Sequence, residues 1–163
     1  MRDLLRAQQA TEWVIVSTGM FTSFLFEPAF GVVDLAANRV NALGSLDTAV
    51  TLTTADDIGA LTAEILFARP RIANQAVFVA GDTVTYRQVA DALDHVRGGQ
   101  LERHEWTVPE LERLLAAEPD SAMRKYRAVF AQGRGVAWDK AETFNARHGI
   151  PVTSMQDWLR ANA

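Results

Sequence analysis

The sequence predicts an α/β fold, an incomplete doubly wound unit with a small subdomain of short strands and several helices. Three observations carry this. Trp13-Val14-Ile15-Val16 is an apolar, β-branched run of the kind that a parallel sheet buries on both faces. A helical stripe of Leu4, Leu5, Ala7 and Ala10 feeds straight into it, as the αβ half of such a sheet would. Only one similar run follows, Val77-Phe78-Val79-Ala80, so the first strand is expected to lack part of its sheet.

The elements follow in order. Gly19 to Pro28 has the densest aromatic content of the chain and reads as a short helix or turn under a lid, not a strand. Val40 to Leu43 and Val50 to Thr53 read as two short strands paired across the loop Gly44-Ser45-Leu46-Asp47. The second alternates apolar residues with threonine, the period of a half-buried strand. Thr54 or Asp56 then caps a helix that carries Ile58, Leu61, Ile65 and Leu66 on one face and closes near Arg69-Pro70. After the Val77 strand, Gly81-Asp82 is a turn, and Thr85 caps a helix with Val89, Ala90, Leu93 and Val96, stopped by Gly98-Gly99.

Leu101 to Thr107 alternates as a strand, and Pro109 sits in the first turn of the next helix. The remainder reads as helical over Glu110 to Ala117, Ser121 to Gln132, Lys140 to His148 and Ser154 to Ala161. Gly133-Arg134-Gly135 and Pro151 mark the breaks. There is no internal repeat, low-complexity tract or flexible linker, so the 163 residues read as one unit.

Composition narrows the function. The chain is 48% apolar and 22% charged, with a net charge of −4 and both signs interspersed. Nucleic acid is a poor partner for such a surface, because phosphate binding needs a concentrated basic face. The one basic cluster, Arg124-Lys125-Tyr126-Arg127, reads as a solvated helix face. With no cysteine, disulfides, thiol catalysis and thiolate metal sites are excluded. His95, His104 and His148 lie far apart without ligand spacing, so no metal site is expected. No apolar run reaches a membrane span. Charges at Arg2, Asp3 and Arg6 interrupt any signal-peptide core, which makes the cytoplasm the expected compartment.

Familiar catalytic motifs are missing. A dinucleotide needs a strand, a Gly-rich turn and a helix N-terminus. Gly98-Gly99 follows a helix and precedes a strand, and Gly133-Arg134-Gly135 lies between helices. Neither Tyr86 nor Tyr126 has a lysine four residues on, so no Tyr-x-x-x-Lys proton donor exists. Asp56-Asp57 is better explained as a cap with its first-turn acid than as a catalytic carboxylate pair. Any one of Phe21, Phe24, Phe26 and Phe30 suits a core. As a group beside Gly19, at the C-terminal end of a strand, they suit an apolar ligand wall better.

Several segments together resemble the NmrA-like, isoflavone reductase-like family of atypical short-chain dehydrogenases. They are Glu12-Trp13-Val14-Ile15-Val16-Ser17-Thr18-Gly19-Met20-Phe21, Ala42-Leu43-Gly44, and Thr51-Leu52-Thr53-Thr54-Ala55-Asp56-Asp57-Ile58-Gly59. Asn74-Gln75-Ala76-Val77 and Gly81-Asp82-x-x-Thr85, with Gly98-Gly99 after the helix, continue the pattern. The resemblance runs in order over roughly residues 1 to 107. The last third resembles only the family's variable helical tail.

The resemblance implies a Rossmann-type fold of which this chain looks like the C-terminal, substrate-binding half. The Gly-rich cofactor turn would lie upstream of Met1, and the reductases' catalytic lysine about one helical turn before Arg2. No residue of the chain is then catalytic. Arg2 would match an arginine that touches the cofactor phosphate, with Thr18 beside it. Gly19, Met20, Phe21 and Phe24 would meet a small apolar or aromatic substrate. The implied function is half of an NAD(P)-dependent reductase, inactive alone, with NADP as cofactor in the parent family and none expected for this chain by itself. A non-catalytic nucleotide sensor or protein-interaction module is the alternative. The expected partners are a small molecule and either a second copy or a separately encoded N-terminal half, with neither nucleic acid nor membrane.

Overall fold

A computed structural model describes residues 2–162. The chain runs α1 (Arg2–Ala7), β1 (Val14–Ser17), β2 (Met20–Phe21), a 3₁₀ turn (Thr22–Phe26), β3 (Val33–Asp34), β4 (Arg39–Leu43) and β5 (Ala49–Thr53). Then come α2 (Ala55–Phe67), β6 (Gln75–Phe78), β7 (Asp82–Thr85), α3 (Tyr86–Arg97) and β8 (Glu102–Trp106). The chain finishes with α4 (Val108–Ala117), α5 (Ala122–Ala131), a 3₁₀ turn (Lys140–Glu142), α6 (Phe144–Arg147) and α7 (Met155–Asn162). The predicted α/β class holds.

The strands form three small sheets. β1 pairs with β6 in parallel, β5 lies between β2 (parallel) and β7 (antiparallel), and β4 lies between β3 (antiparallel) and β8 (parallel). The larger core gathers around Leu25, Phe30, Leu43, Leu52, Tyr86 and Leu159. A smaller one joins α2 to the first sheet, with Leu61 and Ile65 against Val77, Val79, Val14 and Val16.

Several expectations need correction. Val14, Ile15 and Val16 are only partly buried, and among the described residues the strand has one partner. α2 covers one face, the one carrying Val14 and Val16, while the other keeps Ile15 partly open. β4 and β5 do not pair with each other. Gly44, at φ 86, turns the chain out of the sheet, and β4 instead runs beside β8 along its whole length. The first two residues after Gly19 form a strand, β2, before the 3₁₀ turn begins. Gly81-Asp82 is not simply a turn, because Asp82 opens β7. That strand has one large apolar residue, Val84, and owes its existence to pairing with β5, which local patterning does not register. The helix expected from Lys140 to His148 is broken at Thr143, whose buried hydroxyl donates to the Lys140 carbonyl (2.6 Å) and accepts from the Ala146 N–H (3.4 Å).

β5 is buried on both faces, not one: Val50, Thr51, Leu52 and Thr53 are all at most 1% exposed. Its threonines face protein instead of water. The Thr51 hydroxyl shares a 2.8 Å hydrogen bond with that of Thr83 and accepts the Trp138 N–H at 3.2 Å, and Thr53 Oγ1 donates to the Thr18 carbonyl at 2.7 Å. A buried hydroxyl is tolerated when it is paired in this way.

The caps fall largely where the sequence puts them. Thr54, not Asp56, caps α2, accepting from the Asp57 N–H, and Thr85 with Gln88 closes a capping box on α3. Asp57 is structural: its carboxylate accepts from the Thr54 hydroxyl (2.8 Å) and the Thr153 N–H (2.9 Å). Asp82 holds the same C-terminal segment through the Met155 N–H (2.7 Å) and takes Lys140 Nζ at 2.8 Å.

Just past the end of β6 the backbone of Ala80 is paired by a side chain. The buried amide of Asn145 accepts the Ala80 N–H (3.1 Å) and donates to its carbonyl (2.9 Å). Replacing Asn145 with Ala strands two buried backbone groups, each worth about 1–3 kcal/mol when unpaired. Asn145→Ala is therefore expected to lower unfolding stability by about 2–4 kcal/mol, read as a lower denaturant midpoint at unchanged slope.

Candidate functional site

β1 and β2 deliver the chain to one end of the molecule, at the C-terminal ends of parallel strands, where open α/β sheets take their ligands. Between them lies Gly19, at φ 70. A Cβ placed there would stand 2.2 Å from the Thr51 carbonyl oxygen. Glycine is thus required twice, for its left-handed backbone and for the close approach to β5. That approach swings Met20 inward, to 2% exposure, and leaves Phe21 outside at 49%.

Beside Gly19 is an open hollow of about 320 Å³, lined by Gly19, Met20, Phe21, Phe24, Met123, Tyr126 and Phe130. Its volume is at the lower end of the range for small-molecule sites, roughly 300–1,000 Å³. Apart from the Tyr126 hydroxyl, every lining side chain is apolar. Aromatic stacking fixes the walls. Phe24 stacks on Phe30 with ring centroids 4.5 Å apart and meets Tyr126 edge-on at 6.0 Å, while Phe30 meets Phe130 edge-on at 6.3 Å.

Arg127 fastens α5 against this wall. Its guanidinium donates to the carbonyls of Phe30 and Ala29, each at 2.8 Å, and lies 4.6 Å from the Trp106 ring centroid. Burial, with the Arg124 charge in second place, pushes its pKa below the ordinary value. Arg124 donates to the Leu114 carbonyl (2.5 Å) and to Glu118 (2.6 Å). The Arg124 to Arg127 stretch is therefore not a simple solvated face: of its four residues, both arginines are bonded inward and Tyr126 lines the hollow.

The structure brings Gly19, Met20, Phe21 and Phe24 together along one cavity, and places Thr18 immediately before it. Arg2 also returns to this end, where its Nη2 donates to the Ser17 hydroxyl at 3.1 Å. The other two phenylalanines are elsewhere. Phe30 is fully buried core, and Phe26 packs on Trp158 with centroids 5.2 Å apart. Sequence reasoning missed Met123, Tyr126 and Phe130. Their spacing of three and then four residues on one helix face was the available signal, and it looks the same for a ligand wall as for a core.

A larger hollow of about 400 Å³ lies at the opposite ends of the strands, near Trp13 and Asn74, but Arg6, Gln8, Gln9 and Glu12 give it an open, polar lining. Among the described residues no group of three or more acidic or histidine side chains comes together as a metal site, and no helix is long and apolar enough to cross a membrane.

An α/β unit with an aromatic hollow at the C-terminal ends of its parallel strands is the class of protein defined so far, and comparison narrows it. No protein-family model matches the chain. It is 44% identical over 161 residues to an NmrA-like family domain-containing oxidoreductase of Gibberella moniliformis, covering 98% of this chain and 52% of that protein. The chain thus spans about half the length of the curated relative it matches. It also superimposes on an isoflavone reductase, with a TM-score of 0.76 and 16% identity over 99% of this chain and 56% of that one. An NADPH-dependent quinone oxidoreductase of Escherichia coli, solved with NADPH, gives a TM-score of 0.71 and 17% identity over 98% and 56%. The chain is homologous to part of an NmrA-like oxidoreductase and has the fold of the isoflavone reductase-like proteins, as the segments around Gly19 and Asp56 implied.

The close approach at Gly19 gives a direct test. Gly19→Ala forces a Cβ against backbone in a left-handed conformation, so β2 must shift away from β5. Stability is expected to fall by at least about 1–3 kcal/mol, measured by chemical denaturation.

Proposed function

We propose that this chain is the substrate-binding half, equivalent to the C-terminal half, of an NmrA-like NAD(P)-dependent reductase that works in the cytoplasm. Its substrate is an apolar, aromatic compound with a carbonyl or benzylic centre. One observation carries the reading: the aromatic hollow beside Gly19 occurs in a chain 44% identical to an NmrA-like oxidoreductase. A bound nicotinamide supplies the hydride in such a protein. In this reading Arg2, whose Nη2 donates to the Ser17 hydroxyl, and Thr18 are the residues of this chain that touch the cofactor. In the same reading Gly19, packed on β5, lies at the base of the ligand site, and Met20, Phe21 and Phe24 give the ligand its apolar contacts.

The second reading, a non-catalytic nucleotide sensor or interaction module, has one observation in its favour. No residue lining the hollow carries a carboxylate, imidazole or ammonium group that could move a proton at neutral pH. Fusing this chain to the part of the Gibberella moniliformis relative that it does not match separates the two. NADPH oxidation dependent on an aromatic carbonyl compound supports the reductase. NADPH binding with no turnover on a panel of such compounds supports the sensor.

Two further outcomes are expected of the chain by itself. With no Gly-rich turn to cradle a pyrophosphate, calorimetric titration with NADPH should give no saturable heat at ~100 μM cofactor, a concentration well above a micromolar dissociation constant. A micromolar affinity would overturn this. The free edge of β1 and the exposed Leu66 (65%) and Phe67 (74%) are open to association with a second copy or a separately encoded N-terminal half. Sedimentation at ~50 μM, above ordinary weak association, should show a dimer or larger species. A stable monomer would refute self-association.

A further inference from the structure

We propose that Arg127 is a positioning residue of the Gly19 hollow. It sets the gap between the wall carried by α5 and the wall carried by residues 22–31, and through that gap the affinity of the hollow for its occupant. The proposal rests on the hollow being a ligand site and holds for any occupant that touches both walls.

The guanidinium sits where the two walls are joined. Arg127 lies four residues after Met123 and three before Phe130, so two of the lining residues of α5 are its neighbours along the helix face. The third, Tyr126, directly precedes it. On the other wall, Phe24 belongs to the 3₁₀ turn, and the chain continues into a tight bend in which the Phe30 and Gly31 N–H groups both donate to the Glu27 carbonyl, each at 2.9 Å. Arg127 takes the next two carbonyls of that bend, Ala29 through Nη2 and Phe30 through Nε, each at 2.8 Å. One side chain of α5 is thereby bonded to the segment that bears Phe24.

The joint is tight, and its charge is not idle. The guanidinium carbon lies 4.6 Å from the Trp106 ring centroid, and a Cβ on Gly31 would stand 3.3 Å from both Arg127 Nη2 and the Trp106 ring. The ring contacts between the walls, Phe24 with Tyr126 and Phe30 with Phe130, have centroids 6.0 and 6.3 Å apart. Such contacts tolerate separations of roughly 4.5–7 Å, whereas a forked donor on two successive carbonyls tolerates little change. Among the described residues no carboxylate pairs with Arg127, while its neighbour Arg124 reaches Glu118. Burial holds the Arg127 pKa below the ordinary value, so the charge is kept there against its desolvation. A lysine offers a point charge and cannot hold both carbonyls while lying flat against an indole.

The test titrates the chain with N-phenyl-1-naphthylamine, an uncharged apolar probe that brightens in an apolar site. Arg127→Lys keeps the charge and loses the fork. It should weaken the probe by roughly threefold to tenfold, the scale of one aromatic contact. If that variant does not fold, Arg127→Gln, which buries no charge, carries the same expectation. Asn145→Ala, destabilised at the first sheet, should bind the probe as the native chain does, so that lost stability alone does not mimic the effect. In a Tyr126→Ala background the Arg127 substitution should lower affinity by less than it does by itself, because Arg127 acts through the α5 wall. Native affinity in the Arg127 variant, an equal loss in Asn145→Ala, or full additivity with Tyr126→Ala overturns the positioning role and leaves the hollow as the site. If the native chain does not bind the probe, or Phe21→Ala leaves its affinity unchanged, the hollow is not a ligand site and both readings fall.

Discussion

Strand β5 and the hydroxyls it buries constrain everything around them. A central strand with threonine at alternate positions can enter a core only if each hydroxyl finds a partner there. Thr83 on β7, the main chain at Trp138 and the carbonyl of Thr18 supply those partners. The backbone of β5 is engaged as well: Thr51 N–H donates to the Val136 carbonyl at 3.0 Å, and the Leu52 carbonyl accepts the Gly81 N–H at 2.9 Å. Three separate stretches of sequence are therefore located relative to one strand. One of them is the Thr18-Gly19 turn that opens the aromatic hollow.

The hollow inherits its rigidity from this arrangement. Gly19 can lie against Thr51 only because both backbones are fixed, and the inward turn of Met20 follows from the parallel pairing of β2 with β5. On the far side, α5 is an ordinary amphipathic helix whose position is set by arginine contacts to carbonyls and to an indole ring. The two walls, from distant parts of the chain, also touch directly: Phe24 meets Tyr126 edge-on, and the buried Phe30 meets Phe130 in the same way.

Much of this was legible in the sequence, and the failures are instructive. Thr54, Thr85 and Ser121 were readable as helix starts because capping is local: a hydroxyl satisfies an amide three residues on. The Gly19 to Phe24 side of the cavity was readable because a glycine after an apolar strand, followed by aromatics, is a local pattern as well. The pairing of β4 and β5 was misjudged because proximity in sequence suggested a hairpin, whereas the register belongs to β8 and β7, about sixty and thirty residues away. The burial of β5 is not legible locally, because alternating threonine reads as a face turned to water. Whether a hydroxyl faces solvent or a partner such as Thr83 is decided by tertiary structure alone. Tyr126 was hidden for the same reason, in a helix whose charges suggested a solvent face.

The Asn145 clamp ties a late part of the chain to an early one. By taking the N–H and C=O of Ala80, just past the end of β6, a side chain of α6 does there what a neighbouring strand would do. A helix of a single turn is thereby fastened to the first sheet, and loss of that one amide releases both at once.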